Sequence, residues 1–435
     1  MPALHEPQHW PDSGTGAAQK THDGGKSRPI PLLTTGNRLV DSVFMGLSMT
    51  RMPDSRNWFE PMPVERRRRI PPLHRIDGVH VELDGRRLVN FASNDYLGMA
   101  DHAEVCNAAS RAIEEEGLGS GASRLISGDA PQWPELEREL AEWKGYDAAL
   151  LLGSGMLANM GLPDALADRH TDVFCDRLSH ASLIDGARLC RGRMRRYPHL
   201  DMVQLASMLA DSNAERRIIV SDGVFSMDGD CAPVGELIGM AERFDAIVVI
   251  DDAHGTGLLG PEGRGLVAEA GLAGHARLIE VGTLGKALGA YGAFVLGARP
   301  VIEGLVQRLR TLIYSTALPP ALAAAASCAV RLAREGSARE RLQANLAYFL
   351  NQAEMHSLPL LPSRTPIQPL MIGADASALR TSEQLREQGY YVPAIRPPTV
   401  PEGTARLRIT LSAGHDIDQI DGLTKALANI MGDRV

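Results

Sequence analysis

The sequence predicts an α/β fold, with a large domain built on a mainly parallel β-sheet and a smaller C-terminal α/β domain. Between residues 95 and 334, short apolar runs alternate with segments of helical periodicity. Such runs are typical of strands buried on both faces, which requires helices on either side of the sheet. The apolar runs are 149–152, 218–220, 246–250 and 293–296, and the helical segments include 133–144, 201–210 and 234–244.

The segments on either side of this domain have a different character. Residues 1–55 are rich in Gly, Ser, Thr, Pro and His and lack apolar periodicity, which predicts a disordered leader or a start codon placed too early. In the N-terminal segment 56–94, Asp84-Gly85 joins two alternating runs and predicts a hairpin. An Ala-rich helix at 317–334 leads to the small domain, 335–435, with strands near 368–372 and 406–410.

Composition excludes several classes of protein. The 435 residues include 45 Lys and Arg against 53 Asp and Glu, and a net charge of -8 favours neither nucleic acid nor an anionic membrane as partner. Five scattered cysteines without a CxxC pair predict reduced thiols and no metal site. No apolar run approaches the roughly 18 residues of a membrane span, and residues 1–10 lack the basic start and apolar stretch typical of a secretory signal. We therefore expect a cytoplasmic enzyme.

One lysine has surroundings that point to chemistry. Lys286 lies in the glycine-rich run 282–289, downstream of Asp251 and His254 at the end of the apolar run 246–250. A pyridoxal phosphate (PLP) enzyme needs a lysine to condense with the cofactor aldehyde and a carboxylate to keep the ring nitrogen protonated. A lone lysine is usually a solvated residue, but these neighbours favour the functional interpretation.

Other segments supply what such a cofactor requires. The turn 153–159 follows an apolar run and opens a helical pattern, so the amides of Gly155 and Met156 are candidates to bind a phosphate, as is the Thr283 hydroxyl. An ordinary strand-to-helix turn would look the same. His180 offers a flat ring to stack on the cofactor, and Ser226 follows the run 218–220, where ligands collect in open α/β sheets.

A competing motif is the Gly-x-Gly-x-x-Gly run at 255–260, with Glu280 20 residues on. It matches the dinucleotide fingerprint and would indicate a nicotinamide dehydrogenase. That fingerprint requires the glycines to open a helix, whereas Pro261 and the glycines 263 and 265 would break one. We therefore expect a loop passing close to the cofactor.

Five motifs together resemble the α-oxoamine synthases, fold-type-I PLP enzymes that join an amino acid to an acyl thioester with loss of carbon dioxide. They are Asn-Asp-Tyr-Leu-Gly at 94–98, Ser-His-Ala-Ser at 179–182, the run 225–230, Asp-Asp-Ala-His-Gly-Thr-Gly at 251–257 and the lysine loop. Segments 312–320 and 394–408 are similar to the branch that condenses L-alanine with pimeloyl-CoA or pimeloyl-acyl carrier protein in biotin synthesis. The lysine loop and Asp222 are also similar to the glycine C-acetyltransferase branch, against which the Arg-Pro-Pro-Thr segment 396–399 argues.

The resemblance implies a role for each site residue. Lys286 would bind the cofactor covalently and remove the substrate α-proton, Asp251 would pair with the ring nitrogen, His254 with the phenolic oxygen, and His180 would stack on the ring. Further cofactor contacts would come from Gly155, Met156, Ser226 and Thr283, and from Ser315 and Thr316 reaching the partner subunit's cofactor phosphate, which implies a homodimer with shared active sites. Substrate contacts would come from His180, Asn94, Arg396, Thr399 and one arginine of 66–69, placed at Arg68, although a four-arginine run is equally typical of a solvated helix face.

Overall fold

The computed structural model describes residues 62–432, which contain three β-sheets and the helices that cover them. The strands are β1 (His74–Arg75), β2 (His80–Leu83), β3 (Arg86–Asn90), β4 (Ala148–Leu152), β5 (Thr171–Asp176), β6 (Arg193–Tyr197), β7 (Arg216–Asp222), β8 (Ala246–Asp251), β9 (Leu278–Thr283), β10 (Ala293–Gly297), β11 (Ile367–Gly373), β12 (Tyr390–Tyr391), β13 (Ala394–Ile395) and β14 (Ala405–Thr410). The helices are α1 (Ala103–Glu116), α2 (Gln132–Lys144), α3 (Gly155–Leu166), α4 (Ala181–Leu189), α5 (Met202–Ala210), α6 (Val234–Arg243), α7 (Leu266–Glu269), α8 (Arg299–Arg308), α9 (Arg310–Ile313), α10 (Pro320–Glu335), α11 (Ser337–Met355), α12 (Asp375–Glu387) and α13 (Ile417–Gly432).

The central sheet has seven strands in the order β4-β10-β9-β8-β7-β5-β6. Strands β5 to β9 run parallel to one another, as the sequence predicts, while β10 is antiparallel to both β4 and β9. The reversal has a simple cause: only residues 284–292 connect β9 to β10, and a parallel crossover needs about a dozen residues or more. This short connection is the loop that carries Lys286.

Helices cover both faces of this sheet. Because successive side chains of a strand point to opposite faces, neighbouring residues belong to two separate hydrophobic clusters. One cluster contains Leu151, Phe174, Ile219, Val248 and Phe294, and the other contains Leu150, Val173, Ile218, Val249 and Val295. The predicted doubly covered sheet is therefore confirmed.

Two smaller sheets join the ends of the chain. The predicted hairpin forms from β2 and β3, with Asp84 and Gly85 in the positive-φ conformations of a tight turn. Strand β3 also pairs with β12, so the four-stranded sheet β1-β2-β3-β12 joins the N-terminal segment to the C-terminal region. A three-stranded sheet, β11-β14-β13, contains both strands predicted after residue 335. The domain limits 56–94, 95–334 and 335–435 stay predictions, and the leader 1–55 lies outside the described residues.

Two further features concern residues 62–432. No helix in this range is long and apolar enough to span a membrane. All five cysteines are unpaired thiols, in keeping with the sequence prediction.

Candidate active site

The carboxyl ends of β7, β8 and β9 bring the predicted lysine and carboxylates to one edge of the central sheet. Asp222 ends β7 and Asp251 ends β8, and the two residues are paired across the strands. Lys286 follows the end of β9 by three residues. Ligands of open α/β sheets collect at this edge, so its chemistry defines the candidate site.

The Asp251 carboxylate is held on both oxygens. Its Oδ2 accepts a hydrogen bond from Asn159 Nδ2 at 2.6 Å, and its Oδ1 accepts one from the Ala253 backbone N–H at 3.0 Å. Asn159 is buried in α3 and also donates to Ser182 Oγ at 3.0 Å. Sequence reasoning assigned Asn159 no role, because an amide inside a helical segment reveals its partner only in three dimensions.

The Lys286 amine titrates in an unusual range. Burial lowers the pKa of this half-buried lysine to about 8, against the opposing effect of the nearby negative charges of Asp251 and Asp222. Burial, together with the charge of Asp251, raises the pKa of Asp222 well above its ordinary value. With a pKa of about 8, roughly a tenth of Lys286 is a neutral, nucleophilic amine at pH 7, far more than for an ordinary lysine, and covalent chemistry at this position requires that form.

His180 sits at the start of α4 with its ring fixed. Its Nδ1 lies 2.7 Å from Ser182 Oγ and accepts the Ser182 backbone N–H at 3.3 Å, while its own backbone N–H donates to Asp222 Oδ2 at 2.8 Å. Burial lowers the pKa of His180. A neutral imidazole held in this way offers a flat face beside the lysine loop.

A second histidine begins a chain of hydrogen bonds that crosses to the small sheet. His254 Nδ1 lies 2.7 Å from the Tyr96 hydroxyl, which donates to Asn94 Oδ1 at 3.1 Å. Arg408 of β14 donates to the same Asn94 oxygen at 3.2 Å and to the Ser226 carbonyl at 2.6 Å. Burial, with the positive charges of Lys286 and Arg408, lowers the pKa of His254 well below its ordinary value. Tyr96 and Arg408, to which the sequence analysis assigned no role, thus join three predicted residues: His254, Asn94 and Ser226.

The predicted phosphate site is the N-terminus of α3. Gly155 and Met156 form its first turn, and Ser154 caps the helix by accepting the Leu157 N–H at 3.2 Å. The first amides of a helix and its dipole together favour a bound anion. Thr283 is half-buried, accepts the Gly285 N–H at 3.2 Å and donates to the Gly292 carbonyl at 3.1 Å.

Ser315 and Thr316 line a small cavity together with Gly153, the first residue of the phosphate turn. Trp133, buried in α2, closes another side of the same cavity. The predicted reach of both hydroxyls to a partner subunit's cofactor stays a prediction.

The predicted substrate arginines lie where the N-terminal segment meets the small sheet. Arg68 Nη2 lies 3.3 Å from Thr399 Oγ1, and Arg396 Nη1 donates to the Glu65 backbone carbonyl. Arg396 is half-buried and Thr399 is exposed, on either side of the cis Pro397–Pro398 bond. The structure therefore brings three predicted residues, Arg68, Arg396 and Thr399, into one group.

Arg66 in the same run is already paired. Its Nε lies 3.0 Å from Asp375 Oδ2 and its Nη2 lies 2.5 Å from Glu402 Oε2. Because these two carboxylates occupy its guanidinium, Arg66 is a weaker candidate for substrate than Arg68.

The Gly-x-Gly-x-x-Gly run is not a dinucleotide site. A short 3₁₀ turn at Pro261–Gly263 and the four-residue helix α7 follow it, so no long helix N-terminus meets the glycines. Instead, Gly255 of the run and Gly265 beyond it pack against buried Asp252. A Cβ atom at Gly255 would lie 2.1 Å from Asp252 Oδ1, and one at Gly265 would lie 1.9 Å from Oδ2. The dehydrogenase alternative therefore lacks its structural context, as the sequence analysis expects.

The fold and this site define the class of protein. The chain belongs to the aminotransferase class I and II family, whose sequence model matches residues 86–427. The chain is 51% identical over 362 residues, 83% of its length and 93% of the relative's, to 8-amino-7-oxononanoate synthase of Alkalilimnicola ehrlichii. It is 52% identical over 350 residues, 80% of its length and 90% of the relative's, to the enzyme of the same name from Methylococcus capsulatus.

Solved structures agree with this placement. The serine palmitoyltransferase of Sphingomonas wittichii superposes with a TM-score of 0.80 at 28% identity, over 84% of this chain and 93% of that one. The 8-amino-7-oxononanoate synthase of Francisella tularensis superposes with a TM-score of 0.69 at 28% identity, over 80% of this chain and 98% of that one. The fold is that of the fold-type-I PLP transferases, as predicted.

Proposed function

We propose that this protein is a PLP-dependent acyltransferase that condenses L-alanine with a pimeloyl thioester, releasing carbon dioxide and the thiol carrier and forming 8-amino-7-oxononanoate for biotin synthesis. The relatives at about half identity carry this activity in their name. The observation that carries the proposal is Lys286, a half-buried amine with a pKa of about 8 at the sheet edge where Asp251 and Asp222 end their strands.

The residues present fit PLP. The first-turn amides of α3 would bind its phosphate, Asp251 would pair with a protonated ring nitrogen, and Lys286 would bond to its aldehyde carbon. When bound, PLP supplies an electron-accepting ring that stabilises negative charge at the substrate α-carbon.

Lys286 has two tasks in this proposal. Its neutral Nζ would hold the cofactor covalently, and the same nitrogen, once free, would accept the α-proton of alanine. Both tasks need an unprotonated amine, which the lowered pKa provides near neutral pH. Asp251, held by Asn159 and by the Ala253 amide, would pair its carboxylate with the ring nitrogen.

The two histidines frame the ring. His180, fixed by Ser182 and Asp222, would stack on one face of the ring. His254, fixed by Tyr96, would bond the phenolic oxygen. Burial lowers the pKa of both rings, so neither carries a positive charge beside the cofactor site near neutral pH.

Substrate recognition is assigned to the residues near the small sheet. The Arg396 guanidinium would bind the alanine carboxylate, and Thr399 and Asn94 would be further substrate contacts. Arg68, whose Nη2 lies 3.3 Å from Thr399 Oγ1, would contact the acyl substrate. Ser315 and Thr316 reach the partner subunit's cofactor phosphate in a cytoplasmic homodimer. The carrier is coenzyme A or acyl carrier protein.

The test is a thiol-release assay on the purified protein with alanine, glycine or serine against acetyl, pimeloyl and palmitoyl thioesters, each on coenzyme A and on acyl carrier protein. Alanine with a pimeloyl thioester should be the fastest pair, and Lys286→Ala should abolish both turnover and the visible absorption of the bound cofactor. Faster turnover of glycine with acetyl-CoA would replace this proposal with glycine C-acetyltransferase.

A further inference from the structure

His199 lies just beyond β6, between two carboxylates that belong to different turns of the chain. Its Nδ1 is 3.0 Å from Asp176 Oδ1, and its Nε2 is 2.8 Å from Asp230 Oδ2. A carboxylate accepts hydrogen bonds, so a ring bonded to one on each side carries a proton on both nitrogens. Burial lowers the pKa of His199, but the hydrogen bonds to Asp176 and Asp230 outweigh it and raise the pKa to about 10. The ring is an imidazolium at neutral pH.

The first carboxylate organises the turn that leads to His180. Asp176 ends β5, and its carboxylate also accepts the backbone N–H of Leu178 at 2.7 Å and that of Leu200 at 2.9 Å. Its backbone carbonyl accepts the Ser179 N–H at 3.2 Å, one residue before His180. The orientation of Asp176 therefore fixes the path of the chain into the candidate stacking residue.

The second carboxylate belongs to a residue that closes the turn carrying Ser226. The Asp230 carbonyl accepts the Phe225 N–H at 3.0 Å, which closes the turn. The Phe225 ring meets the His199 imidazole edge to face, with ring centroids 4.5 Å apart. Arg408 of β14 donates a hydrogen bond to the Ser226 carbonyl at 2.6 Å, which links this turn to the small sheet.

We propose that His199 is a positioning residue: bonded on both ring nitrogens, it sets the spacing between the His180 turn and the Ser226 turn, and so the geometry in which both meet the cofactor. His199 touches neither the cofactor nor a reacting atom in this account. The inference rests on the proposed function only in that PLP occupies the site.

The test compares His199→Gln and His199→Leu with wild type. A matched control is His275→Gln, which removes a histidine paired with one carboxylate, Glu242, at 3.3 Å, just before β9 at the opposite end of the sheet. PLP affinity is measured by titrating the apoprotein and following visible absorption, and KM for alanine is measured separately from kcat. His199→Leu should weaken PLP binding about tenfold or more and raise KM, as expected for loss of charge-assisted hydrogen bonds, and His275→Gln should change neither.

Two results would overturn the inference alone. One is a His199→Leu or His199→Gln protein that binds PLP and alanine as wild type does and differs only in its urea midpoint, since that would make the residue merely structural. The other needs no variant: ¹⁵N shifts of His199 in the wild-type protein should show both ring nitrogens protonated from pH 6 to 8.5, and a neutral ring would contradict the assigned role. Wild-type protein that binds no PLP would instead overturn the proposed function and this inference together.

Discussion

Replacing Lys144 with methionine tests the electrostatics beneath the active site. Lys144 ends α2 and is fully buried, with Nζ 2.5 Å from Glu280 Oε1, 3.6 Å from Asp252 Oδ2 and 3.1 Å from Thr256 Oγ1. Both carboxylates are buried too, since the side chain of Asp252 is 0% exposed and that of Glu280 is 1% exposed. One buried ammonium group therefore lies beside two buried carboxyl groups. One of them, Asp252, directly follows Asp251 in the sequence.

The structure sets the size of the effect. Methionine nearly conserves the volume of lysine, so the cavity contribution is small and the loss is mainly that of the charge. Breaking a buried ion pair by removing one partner costs about 3–5 kcal/mol, because the remaining charge stays buried and uncompensated. Domains are stable by about 5–15 kcal/mol, so Lys144→Met should remove about a fifth or more of the free energy of unfolding.

Urea unfolding followed by tryptophan fluorescence measures this loss. Lys425→Met is the control, because Lys425 is 62% exposed and its pair with Asp421 at 2.6 Å should be worth about 0–1 kcal/mol. Adding Glu280→Gln to Lys144→Met should recover about 1–3 kcal/mol, since it removes one stranded charge and leaves an amide for Tyr146, which bonds Glu280 Oε2 at 2.7 Å. A loss below about 1 kcal/mol in Lys144→Met, or no recovery in the double variant, would refute the reasoning.

Three further predictions concern the site itself. Because the pKa of Lys286 is lowered to about 8, its amine is mostly protonated below that pH, so covalent capture of PLP by the apoprotein should accelerate through pH 8 in stopped-flow absorbance, and a flat profile from pH 6.5 to 9 would contradict it. Gly265→Ala should destabilise the protein by several times the cost of Gly271→Ala in urea unfolding: both have positive φ, but only at Gly265 would a Cβ lie 1.9 Å from a buried carboxylate oxygen, and equal costs would count against close packing. Arg68→Ala should raise KM for the acyl thioester about tenfold with little change in kcat, whereas an unchanged KM would remove Arg68 from the substrate site.

Most of the central sheet is predictable from the chain, because a strand buried on both faces is an unbroken apolar run. Strands β4, β7, β8 and β10 contain the predicted runs, and the hairpin β2–β3 follows from Asp84-Gly85. The antiparallel direction of β10 is set by the short connection between β9 and β10. The pairing of β12 with β3 joins segments about 300 residues apart. Such a pairing leaves no local pattern, since two-residue strands carry no periodicity.

The candidate site divides in the same way. Lys286, Asp251, His254 and His180 are identifiable because each stands in a short motif at a strand end, where covalent and acid–base chemistry needs that residue type. Their hydrogen-bond partners come from remote elements and follow no spacing rule: Asn159 on Asp251, Tyr96 on His254, and the carboxylates on His199.

By itself, then, the sequence determined the α/β architecture and the chemical groups of the site, since both are properties of short segments. Only the tertiary structure decided which buried charged groups pair with each other. For example, Lys144 of α2 pairs with Glu280, and His199 joins two turns. It also decided the protonation of Lys286, because a pKa depends on burial and on every charge nearby, and these arise only when distant segments pack together.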